Sequence, residues 1–189
     1  MCGRYSMSAS TADLVAFFDA RDERGGVGAD KNWNVAPTQE VTIVVERPDE
    51  AGEAPVRQLR SARWGLVPSW SKDGAPNARA INARAETVDS KPTFRAAAKS
   101  RRAIVPADGF YEWTGEKGHK TPYFLHDPTQ KILSFGGLYE FWRNDQTDDW
   151  QVTCTIITRT ATDAVGHIHD RTPLIIPPDI WGDWLDCAN

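Results

Sequence analysis

The chain has few cysteines, few histidines and no long apolar run. It has four histidines, and its three cysteines among 189 residues are too few and too scattered for a disulfide framework. No apolar stretch approaches the roughly 18 residues that a membrane span needs. The N-terminal MCGRYSMSAS also lacks the apolar core of a signal peptide. We therefore predict a soluble, cytoplasmic protein with no membrane partner.

A net positive charge is missing as well. The formal net charge is −4, which by itself argues against a nucleic-acid partner. The charge is unevenly distributed, however, because residues 57–102 contain eleven Lys and Arg against three Asp and Glu. This basic segment has a net charge of +8 and the rest of the chain −12. Such an asymmetry is typical of a polyanion-binding face, and equally of a solvated face that acidic residues neutralise in the fold.

The fold class follows from composition and from the order of the predicted elements. With 40% hydrophobic and 25% charged residues, the 189-residue chain is typical of one globular domain, which we place over residues 1–189. Strands outnumber helices and follow one another directly, in the pairs 41–46 with 56–64, 109–114 with 123–126, and 132–142 with 150–158. This order predicts an α+β fold with a curved, barrel-like antiparallel β-sheet core and peripheral helices. The chain ends soon after Asp186 without a helix stop signal, which favours a truncated C-terminus.

Helices are predicted near both ends of the chain. Ser10 and Asp13 form a capping-box pattern at the start of a helix that extends to Ala20. Its inward face is predicted to carry Leu14, Phe17 and Phe18. A second helix is expected over 160–165. Residues 65–90 show no periodicity, which indicates an ordered functional loop.

Cys2 has the most distinctive chemistry in the sequence. Removal of Met1 would give this residue a free α-amine beside its thiol, with unperturbed pKa values of about 7.7–8.0 and about 8.5. An amine condenses with an aldehyde to an imine, and the neighbouring thiol then closes on the same carbon as a five-membered thiazolidine. The alternative is a small buried cysteine at the start of a strand.

Three other functions remain open from the residues alone. Cys2 could act as the nucleophile of a peptidase or amidohydrolase, with its own amine as the base. The basic segment could serve a single-stranded-DNA-binding module in which Cys2 has no role. A zinc site would have to come from Cys2, Cys154, Cys187, His167 and His169. No paired-cysteine or HxxxH spacing supports that zinc site, so no metal or cofactor is predicted.

Six short motifs resemble one family across nearly the whole chain. After the N-terminal MCGRY, they are NVAPT at 34–38, WGLVPSW at 64–70, NARAET at 82–87, VPADGFYEW at 105–113 and HDRTP at 169–173. Together, and in this order, they resemble the SOS-response-associated peptidase (SRAP) family of abasic-site processing proteins. The resemblance runs from residue 2 to about residue 187.

The resemblance implies a covalent DNA–protein crosslink at abasic sites in single-stranded DNA. It implies that Cys2 forms the thiazolidine after Met1 is removed, that Asn82 positions the N-terminal amine, and that Glu112 acts as an acid and base. It further implies that His169 acts on the deoxyribose. Weak abasic-site lyase activity and autoproteolytic removal of Met1 are also expected. We expect the protein to be associated with the nucleoid when bound to DNA.

The resemblance also implies a set of DNA-binding residues. They are Arg4, Asn34, Pro37, Trp70, Arg84, Thr158, Thr160 and Arg171. Ser69 precedes Trp70 where some relatives place a second aromatic residue, which predicts a narrower stacking wedge. Trp64 and Trp70 flank a Gly-Pro loop within the basic segment, a pattern that favours a stacking platform. The alternative is that both tryptophans belong to the core.

The residue types fit this chemistry. An abasic sugar is mostly a closed hemiacetal, so its opening needs a proton acceptor and a proton donor. His169 can do both near neutral pH, since an unperturbed histidine titrates near about 6.5. Strand alternation places Glu112 on the face opposite Tyr111 and Trp113. If that face is buried, the pKa of Glu112 is expected to rise.

Overall fold

The computed structural model describes residues 2–25, 31–48, 54–72, 74, 78–116, 118–129, 132–144, 147–162 and 164–187. The strands are β1 Tyr5–Met7, β2 Arg21–Asp22, β3 Asn32–Val35, β4 Glu40–Arg47, β5 Val56–Trp64, β6 Asn82–Arg84, β7 Arg102–Ala107, β8 Gly109–Thr114, β9 Thr121–Leu125, β10 Leu133–Arg143, β11 Trp150–Thr160 and β12 Arg171–Pro173. The α-helices are α1 Thr11–Phe18, α2 Arg95–Ser100 and α3 Trp181–Leu185. Short 3₁₀ helices cover Ala78–Ile81, Ala85–Thr87, Ala164–His167 and Pro178–Ile180.

Five strands close into a barrel. Hydrogen bonds join β11 to β10, β10 to β7, β7 to β4 and β4 to β5, and β5 returns to β11. The last pairing is parallel, with Arg63 opposite Thr153 and Trp64 opposite Cys154. The predicted curved, barrel-like core with peripheral helices is confirmed, and the closing pair makes its sheet mixed.

A smaller antiparallel sheet, in the order β3-β1-β8-β9, shares the core of the barrel. The ring of Tyr5 contacts Trp64 and Phe135, with centroid separations of 5.4 and 6.2 Å. Phe110 contacts Phe135 from β8 at 6.0 Å. These edge-on aromatic contacts join the N-terminal strand to the barrel wall.

The three predicted strand pairs are confirmed as the antiparallel pairs β4–β5, β8–β9 and β10–β11. The capping box at Ser10 and Asp13 is present at the start of α1. Phe17 was expected to face the core, but its side chain is 39% exposed. The helix expected over 160–165 is wrong, because β11 continues to Thr160 through its pairing with β12. β11 ends at Thr160, and the next described element is the 3₁₀ helix Ala164–His167.

The aperiodic segment 65–90 contains a short strand that the sequence did not predict. Asn82–Arg84 forms β6, which pairs in parallel with β11. Three residues are too few to show a periodicity, so the pairing partner determines this strand. None of the described helices has the length and apolar character that a membrane crossing requires.

Candidate active site

Pairing of β1 with β8 brings Glu112 close to the N-terminus. Tyr5 lies opposite Phe110, and the backbone N–H of Tyr111 donates to the carbonyl of Arg4 over 2.9 Å. Continuing this antiparallel register places Glu112 opposite Gly3, the residue after Cys2.

Cys2 lies within the hydrophobic core and has no exposed surface. Burial raises the pKa of its thiol well above the ordinary value, and the negative charge of Glu112 raises that pKa further. The thiol therefore keeps its proton at neutral pH. Chemistry at this sulfur requires a nearby group that accepts the proton as the new bond forms.

Glu112 is such a group. Its residue is 3% exposed, whereas Tyr111 and Trp113 on either side are half-buried on the opposite face, as strand alternation predicts. Burial raises the pKa of Glu112, while the electrostatic interaction with His169 opposes that rise. A carboxyl group with a raised pKa can donate and accept a proton at a pH closer to neutral.

Asn82 joins the barrel to the N-terminus. Its register position in β6 is opposite Ile156 of β11, and its Nδ2 donates to the carbonyl oxygen of Cys2 over 2.8 Å. Its Oδ1 is buried and accepts no hydrogen bond from the residues that the structure describes. A buried oxygen without a donor is unfavourable, so this position favours a hydrogen-bond donor from a ligand or from the α-amine of Cys2 after Met1 is removed.

His169 lies in the loop before β12, and its side chain is 28% exposed. Its Nδ1 accepts from the backbone N–H of Arg171 over 3.0 Å and lies 2.9 Å from Oδ1 of Asp170. The first contact belongs to the neutral ring, whose proton is then on Nε2, and the second to the protonated ring. The side chain thus has a defined partner in each protonation state. Together, Cys2, Asn82, Glu112 and His169 form what we call the reaction centre.

Three residues of the expected DNA-binding set lie in or next to β1 and β3. Arg4 precedes β1, Asn34 lies in β3, and Pro37 follows β3. Nη1 of Arg4 donates to Oδ1 of Asn34 over 3.1 Å. Pro37 precedes Thr38, whose φ of +74° is unfavourable for a β-branched side chain. The N–H of Thr38 donates to the carbonyl of Trp64 over 2.8 Å, and this contact holds the strained turn against the barrel.

Trp70 extends into solvent from a loop that is fixed to β11. The N–H of Gly65 donates to the carbonyl of Cys154 over 2.8 Å, and the N–H of Val67 donates to Oγ1 of Thr153 over 2.9 Å. Trp70 is 66% exposed, whereas Trp64 is fully buried and donates its indole N–H to the carbonyl of Ile81. Trp64 as part of a stacking platform is therefore wrong, because its ring fills the core.

Two arginines of the expected DNA-binding set have opposite surroundings. Arg84 is exposed, and its side chain makes no hydrogen bond or ion pair with a described residue. Arg171 is buried and forms a two-pronged ion pair with Glu86 at 2.7 and 2.9 Å. The other two expected residues contact Arg171 directly, since its guanidinium donates to the carbonyl of Thr158 and to Oγ1 of Thr160. The basic segment therefore contains both an accessible arginine and an acid, Glu86, that neutralises a distant one.

Glu86 is the residue that sequence reasoning missed. It is one of only three acids in the basic segment, and that position was a signal. Its partner lies 85 residues away, so only the fold reveals the pair.

A cavity of about 1080 Å³ lies on the other face of β8, with Trp33, Tyr111 and Phe124 among its lining residues. No residue of the reaction centre lines it. Within the described ranges, no three His, Cys, Asp or Glu side chains form a group that could hold a metal ion. Cys2, Cys154 and Cys187 are free thiols.

Comparison with known proteins identifies the family. The family model described as SOS response associated peptidase (SRAP) matches residues 1–189. The abasic site processing protein YoaM of Bacillus subtilis is 35% identical over 190 residues, which cover 100% of this chain and 81% of that protein. The abasic site processing protein YedK of Escherichia coli is 31% identical over 191 residues, covering 98% and 79%.

Solved structures share the fold. A protein from Bacteroides thetaiotaomicron superposes with a TM-score of 0.86 at 25% sequence identity, over 100% of this chain and 82% of that one. A protein from Bordetella bronchiseptica superposes with a TM-score of 0.79 at 25% identity, over 98% and 88%. The family match over the whole length, the relatives and the shared fold agree, and the chain belongs to the SRAP family.

Proposed function

We propose that this protein processes abasic sites in single-stranded DNA by forming a covalent crosslink through Cys2. The observation that carries the proposal is the burial of Cys2, whose thiol pKa is raised by burial and by the charge of Glu112, and whose carbonyl accepts a hydrogen bond from Asn82. The names of the relatives support abasic sites as the substrate class. The product shields the lesion from strand cleavage.

The reaction begins with the sugar. His169 removes the proton of the hemiacetal hydroxyl and returns a proton to the ring oxygen, which gives the open aldehyde. With Met1 removed, the α-amine of Cys2 attacks the aldehyde carbon, and loss of water gives an imine. Glu112 in its protonated form supplies the proton that the departing hydroxyl needs.

Thiazolidine formation completes the sequence. The sulfur of Cys2 adds to the imine carbon while the imine nitrogen gains a proton, so the thiol proton is transferred overall from sulfur to nitrogen. Glu112, now a carboxylate, accepts the proton from the thiol. The negative charge of Glu112 makes the thiol harder to ionise. In this step the same carboxylate removes the thiol proton while the carbon–sulfur bond forms.

Asn82 orients the amine. Its Nδ2 already donates to the carbonyl of Cys2, and its buried Oδ1 is an acceptor for an N–H of the α-amine that removal of Met1 produces. Together these contacts orient the lone pair of the neutral amine toward the sugar.

DNA binding is assigned to the exposed residues around these motifs. Trp70 offers an aromatic face to a base or to the gap at an abasic site, and Arg84 offers an unpaired cation to a backbone phosphate. Arg4, Asn34 and Pro37 contribute on the side of β1. The imine also permits β-elimination, which gives a weak lyase activity.

Denaturing gel electrophoresis tests the proposal. Wild-type protein incubated with abasic single-stranded DNA should give an adduct that resists heat and detergent. Cys2→Ala should give no thiazolidine, whereas the matched variant Cys187→Ala should crosslink as the wild type does. A stable adduct from Cys2→Ala would remove Cys2 from the mechanism. Steady turnover of a peptide substrate, with no DNA adduct, would favour the peptidase alternative.

A further inference from the structure

The guanidinium of Arg171 is held in the geometry that would also bind a phosphate. Its Nη1 donates to Oε1 of Glu86 over 2.7 Å, and its Nη2 donates to Oε2 over 2.9 Å. Arginine binds carboxylates and phosphates through the same two parallel hydrogen bonds. Glu86 therefore occupies the position that a phosphodiester oxygen pair would take.

The remaining hydrogens of both terminal nitrogens are also in use. Nη1 donates to Oγ1 of Thr160 over 3.2 Å, and Nη2 donates to the carbonyl of Thr158 over 2.6 Å. In this arrangement Arg171 has no terminal N–H left for a ligand. A phosphate can reach it only after Glu86 has moved away.

Glu86 is the partner that can move. Its side chain is 47% exposed, while that of Arg171 is 10% exposed. Water can solvate a displaced Glu86 carboxylate, whereas an unpaired Arg171 would remain buried at a high desolvation cost. The present pairing is also incomplete, since Nε of Arg171 is buried without a hydrogen-bond partner among the described residues.

The location suits a DNA backbone. Thr158 of β11 lies opposite Arg84 in β6, and Thr160 lies opposite Arg171 in β12. The exposed Arg84 and the neutralised Arg171 thus lie on either side of the same end of β11. Their partners on that strand are two residues apart. Only one of the two presents a free cation in the absence of DNA.

We propose that Glu86 is an intramolecular competitor that occupies the phosphate site of Arg171 and is displaced by a backbone phosphate of single-stranded DNA. This inference rests on the proposed function for its ligand class. Glu86 keeps the buried guanidinium paired in the free protein and lowers the affinity for every single strand, whatever its sequence.

Binding of intact oligothymidylate, which cannot crosslink, tests this competitor role. Glu86→Gln should bind about two- to fivefold more tightly at low salt, the scale of one ion pair. The logarithmic salt slope should stay at the wild-type value, because the phosphate contact with Arg171 forms in both proteins once Glu86 has been displaced. Glu116→Gln removes the same charge from an exposed turn and should leave the affinity unchanged.

A double variant separates displacement from general electrostatics. In an Arg171→Gln background, Glu86→Gln should give no gain in affinity, because the competed site is gone. An equal gain in that background, or no gain from Glu86→Gln alone, would overturn the proposal.

If Glu86→Gln does not fold, the side-chain Nε–H resonance of Arg171 in the wild type provides the readout. It should shift when oligothymidylate is added, and an unchanged resonance at saturation would overturn the proposal.

The two proposals can fail separately. A wild type that crosslinks abasic DNA while Glu86→Gln binds intact DNA no better disproves only the competitor role. A wild type that never crosslinks, while Glu86→Gln gains affinity through Arg171, disproves only the covalent mechanism.

Discussion

The reaction centre and the exposed pair Trp70 and Arg84 differ in how they are held. Cys2 and Glu112 are 0% and 3% exposed, and their neighbours come from β1, β6, β8 and the loop before β12. Trp70 is 66% exposed, and Arg84 makes no ion pair with any residue the structure describes. The reaction centre is buried inside the fold, whereas Trp70 and Arg84 lie on its surface.

This difference separates two tasks. Burial raises the pKa of both Cys2 and Glu112, which suits proton transfer and has no use in binding a strand. Exposure leaves Trp70 and Arg84 available to bases and phosphates. Changes in the reaction centre should therefore alter rates with little effect on affinity, and changes at Trp70 and Arg84 should do the reverse.

Blocking the N-terminus should have the largest effect. A variant with an uncleavable extension before Cys2 converts the amine into an amide, which is neither basic nor nucleophilic. We expect normal DNA binding and complete loss of the denaturation-resistant adduct. The thiol alone would add to the aldehyde only as a reversible hemithioacetal.

Intact-mass measurement provides the control for this experiment. The active protein should have lost one methionine, and the blocked variant should keep its extension. A robust crosslink from the blocked protein would refute the thiazolidine mechanism.

Glu112→Gln should slow the covalent step by about 10²–10⁴-fold, the usual contribution of a general acid or base. Its affinity for intact single strands should stay within error of the wild type, measured by fluorescence anisotropy. A covalent step at the wild-type rate would contradict the acid and base role assigned to Glu112.

The same substitution has a signature in stability. A carboxyl group whose pKa is raised by folding destabilises the fold progressively as pH rises from its unfolded pKa through its folded pKa. Glutamine lacks this penalty. Thermal unfolding of Glu112→Gln should thus occur at a higher temperature than that of the wild type at neutral pH, and the gap should close toward acidic pH. A gap that stays constant with pH would contradict a titrating, buried Glu112.

His169→Ala should also slow adduct formation, within about 10²–10⁴-fold, because sugar opening loses its proton shuttle. His167 provides a matched control, since it is exposed in the 3₁₀ helix two residues earlier. His167→Ala should crosslink at the wild-type rate. Equal slowing by both variants would point to a disturbed loop, and an equal rate for His169→Ala would remove its assigned role.

How far the sequence predicts this arrangement depends on distance along the chain. The buried face of Glu112 follows from alternation within one strand, and the cap of α1 follows from Ser10 and Asp13, which are three residues apart. The contact between Asn82 and Cys2 spans 80 residues and depends on the β6–β11 pairing. No periodicity indicates that pairing, so Asn82 came only from the family resemblance.

Residue type alone also fails where two identical side chains have different surroundings. Trp64 and Trp70 belong to the same motif, yet one fills the core and the other is exposed. The bend at Gly65, with its φ of +124°, separates them. This change from a buried to an exposed tryptophan depends on the hydrogen bond of Gly65 with the β11 backbone. Its partner, Cys154, lies about ninety residues further along the chain.

Trp70→Ala should weaken binding of single strands by about 1–3 kcal/mol if a base stacks on the indole. Trp150 has the same exposure of 66%, so Trp150→Ala removes an equal aromatic surface elsewhere. We expect that variant to bind as the wild type does in the same anisotropy titration. At saturating DNA, Trp70→Ala should crosslink at the wild-type rate. A slower rate at saturation would place Trp70 in the chemistry and weaken the division between the two regions.

Arg84→Gln should have the smallest effect. Loss of one phosphate contact should reduce the logarithmic salt slope by about 0.7 and weaken binding about two- to fivefold at low salt, equally for intact and abasic strands. Lys99→Gln removes a charge from the same basic segment, at the exposed end of α2. If only the position next to the reaction centre matters, Lys99→Gln should leave the slope unchanged. Equal changes in slope from both variants would show that the whole +8 segment acts as a diffuse field. An unchanged slope in both variants would show that the basic segment is a solvated face that does not contact DNA. A phosphate contact always contributes to the salt dependence of binding.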